Sequence, residues 1–179
     1  MDSKIENMRS LRWWDLALND PGLTGQIPMN IENLQNLEFF DFNNNRITSV
    51  PDQINNLPGL ITMLGFENRL ASFASDIGNM AALEYVDFHD GDRGQNRVPQ
   101  FPEGPENLGN LIYFSFGENR VMSGTVPFED WIGNYPEDAL FLNNNDLSGA
   151  MTDGMLTETS DMVFFNLRDN NFTGSFPQN

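Results

Sequence analysis

Leu23 to Leu60 reads LTGQIPMNIENLQNLEFFDFNNNRITSVPDQINNLPGL. Its apolar residues neither recur at the spacing of a buried helix face nor simply alternate like a half-buried strand. They follow a longer phrase, Leu37-x-x-Phe40-x-Phe42-x-x-Asn45-x-Ile47. The phrase returns as Leu60-x-x-Met63-x-Gly65-x-x-Asn68-x-Leu70, as Leu111-x-x-Phe114-x-Phe116-x-x-Asn119-x-Val121, and as Met162-x-x-Phe165-x-Leu167-x-x-Asn170-x-Phe172. Weaker copies fill the gaps. Leu83, Val86 and Phe88 lead to Gly91 in the Asn place, and Leu140 and Leu142 lead to Asn145 and Leu147. Near the start, Leu16 and Leu18 lead to Leu23, with Pro21 in the Asn place. The seven places, 21, 45, 68, 91, 119, 145 and 170, are separated by 24, 23, 23, 28, 26 and 25 residues. Self-similarity at this period marks a stack of repeats covering nearly the whole chain.

Each part of the phrase has a physical meaning. Apolar-x-apolar is the period of a strand with one face buried, so Phe40 and Phe42 point inward and Phe39, Asp41 and Asn43 outward. The Asn then turns the chain. A buried Asn needs partners for both its oxygen and its amide hydrogens. Pro after the turn fits an extended return that needs no ladder N–H. The following Ile31/Leu34 and Ile54/Leu57 pairs cover the core from the far side. One coil cannot bury both its faces, so stability comes from stacking on neighbours. Gly65 and Gly91 leave gaps in this scheme, which neighbouring rings among the 15 Phe are expected to fill.

The phrase and the tails LTGQIPMNIENL, ITSVPDQINNL, SGTVPFEDWIGN and FTGSFP resemble the leucine-rich repeat family. They are similar to its plant-type subclass, seen in polygalacturonase-inhibiting proteins and receptor-kinase ectodomains. The resemblance covers residues 11–179 and departs from the family where Phe and Met replace Leu and where paired-Cys caps are missing. It implies a right-handed, curved α/β-type solenoid of about seven repeats. A parallel β-sheet would line the concave face, and the convex side would be irregular or 3-10. It also implies a ladder of Asn45, Asn68, Asn119, Asn145 and Asn170 bonded to backbone, and an extracellular or cell-surface setting. The whole chain is expected to be one domain. Residues 1–15, with Trp13 and Trp14, would form an N-terminal cover over the core, and 91–107 an insertion loop.

Composition narrows the function. No run of 18 apolar residues exists, so no transmembrane helix is expected. The opening MDSKIENMRS lacks the apolar run of a secretion signal. Zero Cys excludes disulfides and thiol chemistry. The charge is more telling: 26 acidic residues against 9 basic give −17. That balance argues against nucleic acid and against anionic membrane surfaces. It serves as a solubility device or as an acidic face for a basic partner.

Function is expected on the concave face, at the outward positions of the strands. Phe39, Asp41, Tyr85, Asp87, His89, Tyr113, Phe141, Phe164 and Asn166 are the candidate ligand-binding residues. Rings interleaved with carboxylates and amides suit recognition, although Tyr and Phe also favour strand surfaces for cross-strand packing alone. The 91–107 segment, with Pro99, Pro102 and Pro105, is a second candidate, since long loops on rigid scaffolds often carry function. Asp90, Asp92 and Asn96 have a calcium-like spacing without the full loop and its closing Glu, so no metal or cofactor is expected. One His, no Cys and no phosphate loop argue against an enzyme.

Three functions are consistent with this. The first is a non-enzymatic scaffold binding a protein, peptide or glycan. The second is a structural or adhesive protein that self-associates through open solenoid ends, above all the C-terminal edge with Phe164, Phe165, Leu167, Phe172 and Phe176. The third is a glycan-acting enzyme.

Overall fold

The computed structural model describes residues 5–91, 95–131, 136–152 and 162–175. Asp92 and Phe176, singled out above, lie outside the described residues. In chain order the strands are β1 (Trp13–Asp15), β2 (Thr24–Gln26), β3 (Phe39–Asp41), β4 (Arg46–Ser49), β5 (Thr62–Leu64), β6 (Tyr85–Asp87), β7 (Tyr113–Ser115), β8 (Ser123–Thr125), β9 (Ala139–Phe141), β10 (Asp146–Met151), β11 (Phe164–Asn166) and β12 (Asn171–Gly174). Seven of them form one all-parallel sheet in the order β1-β3-β5-β6-β7-β9-β11. Each coil thus contributes one strand, and chain order equals spatial order, as a leucine-rich-repeat solenoid requires. Single-turn 3-10 helices at Met29–Asn33, Asp52–Asn56 and Pro105–Asn107 carry the far side of the coils. Among the described residues no helix is long and apolar enough to cross a membrane.

The middle residue of each strand points inward. Phe40, Met63, Val86, Phe114 and Leu140 are all fully buried, and Ile31, Leu34, Ile54 and Leu57 close the core opposite them. Burying side chains of this size contributes about 1.5–3 kcal/mol each. The gap at Gly65 is filled by rings. A side chain there would meet Phe42 Cζ at 2.6 Å and Phe88 Cε1 at 2.5 Å. Phe88 in turn stacks on Phe116 at 5.3 Å and meets Phe73 edge-on at 4.6 Å. Trp131 is fully buried and satisfies its indole N–H on the Pro105 carbonyl at 2.8 Å.

The ladder has one repeated geometry. Asn68 Nδ2 donates to the Phe42 carbonyl of the preceding coil at 3.0 Å and to the Gly65 carbonyl of its own coil at 3.2 Å. Its Oδ1 accepts from Ile47 N–H at 2.9 Å. Asn45, Asn119 and Asn170 repeat this pattern, with Oδ1 accepting from Leu23, Val98 and Leu147. The residue before each of these Asn is held at positive φ: Asn44, Glu67, Glu118 and Asp169 lie between 51° and 64°.

Three details of register differ from the sequence expectation. In the first coil the Asn place is Asn19, not Pro21. Trp14 pairs with Phe40 in the sheet, so Leu11, Trp14, Leu16 and Asn19 are the true phrase. Asn19 Nδ2 donates to the Leu16 carbonyl at 2.6 Å, the own-coil bond of the ladder. Residues 5–15 are therefore the back and strand of a regular coil, with Ile5 in the core, and not a separate cover. Trp14 does lie at the end of the core, stacked on Phe40 at 5.1 Å.

In the fourth coil the Asn place is Asn96, not Gly91. Asn96 is fully buried, donates to the Gly65 carbonyl at 3.1 Å and accepts from Leu70 N–H at 3.0 Å. The extra residues of this unit thus fall before Asn96. The Val98–Leu108 stretch is an ordinary return, so the insertion is much shorter than 91–107.

In the fifth coil Met122, not Val121, fills the core place after the Asn. Met122 is fully buried and Val121 is 39% exposed. Arg120 absorbs the extra residue at φ 62°. Val121 N–H turns back to the Asn119 carbonyl, so Asn145 Oδ1 is buried without a partner.

One flank of the return is more regular than expected. β8, β10 and β12 form a second parallel sheet, β2 pairs with β4, and single bridges join Ser49 to Ser72 and Gln100 to Ser123.

Candidate ligand-recognition face

The strands' first outward residues form a column in register: Trp13, Phe39, Thr62, Tyr85, Tyr113, Ala139 and Phe164. Alternation along a strand puts the third residue of each on the same face. Asp15, Asp41, Leu64, Asp87, Ser115, Phe141 and Asn166 make that second column. Asn43, Phe66, His89 and Asn143 follow beyond the strand ends.

The rings group along the sheet. Trp13 lies flat on Phe39, with centroids 3.6 Å apart and planes 6° from parallel. Phe66 stacks on His89 at 4.9 Å in the middle. Toward the other end Phe141 sits between Tyr113 and Phe164, at 5.6 and 6.1 Å. Trp13, Phe164 and Tyr85 are 63%, 54% and 40% exposed. Phe39, Tyr113 and Phe141 are half-buried. Trp13 is the main addition to the sequence expectation. A two-residue misplacement of the first Asn hid it, and the Leu11-x-x-Trp14-x-Leu16-x-x-Asn19 phrase was the available signal.

The carboxylates have local duties as well. Asp41 Oδ1 accepts from Asn43 N–H at 2.9 Å and from Asn43 Nδ2 at 2.6 Å. Asp15, Asp87 and Asn166 likewise accept the N–H two residues on. These are Asx turns that end the strands. Asp41 is only 8% exposed, so it offers charge more than contact, and burial raises its carboxyl above the usual range. Asp87 Oδ1 also meets His89 Nδ1 at 2.7 Å. That bond raises the His89 pKa most; burial opposes it, and the charges of Asp87, Glu67 and Asp90 add to it.

On one rim Arg12 pairs with Glu38 at 2.6 Å, and Glu84 and Asp138 hold the same place before their own strands, two and four strands along the sheet. The face is thus aromatic, interleaved and bordered by carboxylates. Among the described residues no group of three or more His, Asp or Glu is placed to hold a metal ion. Asn96, considered above for calcium, has its side chain committed to the ladder.

No protein-family model matches the sequence, and no curated protein is significantly similar to it. Solved structures do match. PEPR1–AtPEP1 aligns over 97% of this chain and 23% of its own, with TM-score 0.76 and 25% identity. The Arabidopsis receptor kinase HAESA, in complex with the peptide hormone IDA and the co-receptor SERK1, aligns over 97% of this chain and 28% of its own, with TM-score 0.76 and 24% identity. A Listeria monocytogenes internalin aligns over 98% and 50%, with TM-score 0.68 and 16% identity. These likenesses establish a leucine-rich-repeat fold. The chain spans between 23% and 34% of the first three matching chains.

Proposed function

We propose that this solenoid is a non-enzymatic recognition scaffold whose concave face takes a basic peptide or an extended protein segment. The observation that carries the reading is the column of rings Trp13, Phe39, Tyr85, Tyr113 and Phe164, in register and flanked by Asp15, Asp41 and Asp87. Rings supply contact area at low entropic cost, and a cation over a ring is attracted by its face. Asp87 and Asn166 in the second column, with His89 beyond it, would read the ligand's polar groups, and Phe141 would add ring contact. The binding of peptide hormones by structurally similar receptors supports the peptide class, and their ectodomain character supports an extracellular or cell-surface setting.

A display library of random peptides provides the test. Selected binders should be enriched in Lys and Arg. Tyr85→Ala with Tyr113→Ala should weaken them about tenfold or more, since buried aromatic anchors dominate such interfaces. The melting curve should stay in place. Binders with no basic bias, or unaffected by the double substitution, would refute the assignment.

A further inference from the structure

Four of the nine basic residues, Arg46, Arg69, Arg97 and Arg120, each directly follow a ladder Asn on successive coils, and all are exposed. Arg46, Arg69 and Arg97 share one column, and Arg120 is displaced from it by the fifth-coil bulge. In the coils on either side the same place holds Asp20 and Asp146. The fold does not call for Arg there. The backbone N–H donates to the preceding coil from Arg46, Arg69 and Arg97 at 2.7–3.0 Å, and from Asp146 just as well at 2.8 Å. Asp90 attracts Arg97 and Arg120, but none of the four is held in a close ion pair. Such pairs among the described residues involve Arg12, His89 and Arg168 instead.

Coils stack about 4.8 Å apart, so the column of Arg46, Arg69 and Arg97 spans roughly 10 Å, with Arg120 off register beyond it. Beside them runs a neutral strip of Thr48, Ser49, Ser72, Gln100, Ser123 and Thr125. Between Ser72 and Gln100 the strip parts into a cleft of about 600 Å³, lined in part by Phe73 and Phe101. Proline opens it. Pro99 has no N–H to continue the ladder, and the two coils are tied by Arg97 N–H to Leu70 at 2.7 Å and Glu103 N–H to Ser75 at 2.8 Å, on either side of the opening.

We propose that the arginine row and this cleft form a second binding site, for an acidic polysaccharide with one anionic group per sugar. Guanidinium groups suit carboxylate and sulfate by bidentate bonding. Spacing selects the polymer. Same-face side chains of an extended peptide recur every ~6.8 Å and fall out of step by about 4 Å over two coil steps. A linear pyranose chain advances by about one coil per sugar. Its hydroxyls match the Ser, Thr and Gln strip, and its ring faces suit Phe101. The net charge of −17 opposes any polyanion at long range. At physiological salt the screening length is about 8 Å, which removes most of that repulsion and leaves the contact pairs.

The probes are alginate-derived oligouronates of two, four and six sugars, with dextran oligomers and a polyglutamate of matched charge beside them, titrated at physiological salt. The tetramer should bind about tenfold or more tighter than the dimer, one charged hydrogen bond or better, and the hexamer little tighter than the tetramer. Arg69→Gln with Arg97→Gln should weaken the tetramer about tenfold or more without moving the melting curve. The concave pair Tyr85→Ala and Tyr113→Ala should leave it unchanged, which separates this site from the one proposed above. Absence of oligouronate binding, dextran or polyglutamate binding as tight as the tetramer, or indifference to the arginine substitutions would each overturn the proposal.

Discussion

At the scale of single residues, the Asn ladder holds the solenoid together and its rungs are not equal. Asn119 has both ends of its amide bonded, whereas Asn145 Oδ1 is buried with no partner. Removing a fully bonded buried amide leaves backbone groups unpaired, at about 1–3 kcal/mol. Asn119→Ala should fall in that range, and Asn145→Ala should cost less by roughly 1 kcal/mol, one missing bond. Urea melts of both variants check this, and equal losses would mean that the fifth-coil bulge does not break the rung. His89 gives a pH dependence. Its folded pKa lies above the ordinary value of about 6.5, chiefly through Asp87. Stability from this pair is therefore fully present below pH 6.5 or so and is lost as pH rises through the raised value. His89→Gln should flatten that part of the pH–stability curve. The regular rungs were legible in the sequence because Asn45, Asn68, Asn119 and Asn170 stand in intact phrases. Asn19 and Asn96 were not, because extra residues near them moved the Asn and left Pro21 and Gly91 at the nominal spacing.

At the scale of the strand and its coil, Gly65 stands where the phrase asks for a large apolar residue. A consensus argument favours Leu there. The packing says the reverse, since the Phe42 and Phe88 rings already occupy the space. Gly65→Leu should destabilise by about 1–3 kcal/mol through overpacking. A raised melting midpoint would show that those rings can withdraw. The strand positions themselves followed from period-2 alternation, and the outward columns agree residue by residue from Phe39 to Phe164. The Asx turns did not follow. An Asp at a strand end looks the same in sequence whether it faces a ligand or caps the N–H two residues on, and only the turn geometry separates them. The bulge at Val121 was hidden for a related reason. Val121 and Met122 are adjacent and both apolar, so either satisfies the pattern.

At the scale of the whole molecule, a rigid stack carries two chemically distinct surfaces, an acidic aromatic face on the seven-stranded sheet and an arginine row along the second strip. The acidic face should steer a cationic ligand. Its association rate should fall as salt rises from dilute to physiological, because the field is screened beyond the Debye length. The repeat period revealed the architecture, and the charge balance left a solubility device and an acidic face for a basic partner both open. Neither shows which surface a ligand uses, since both faces present exposed side chains at the same coil spacing. Hydrogen exchange with a display-selected basic peptide bound tests the central claim most directly. The amides of residues 39–43, 62–66, 85–89 and 113–117 should gain protection together, while the 3-10 turns at Met29–Asn33 and Asp52–Asn56 stay unchanged. Protection confined to those turns or to the second strip, with the seven-stranded sheet unaffected, would contradict recognition by the concave face.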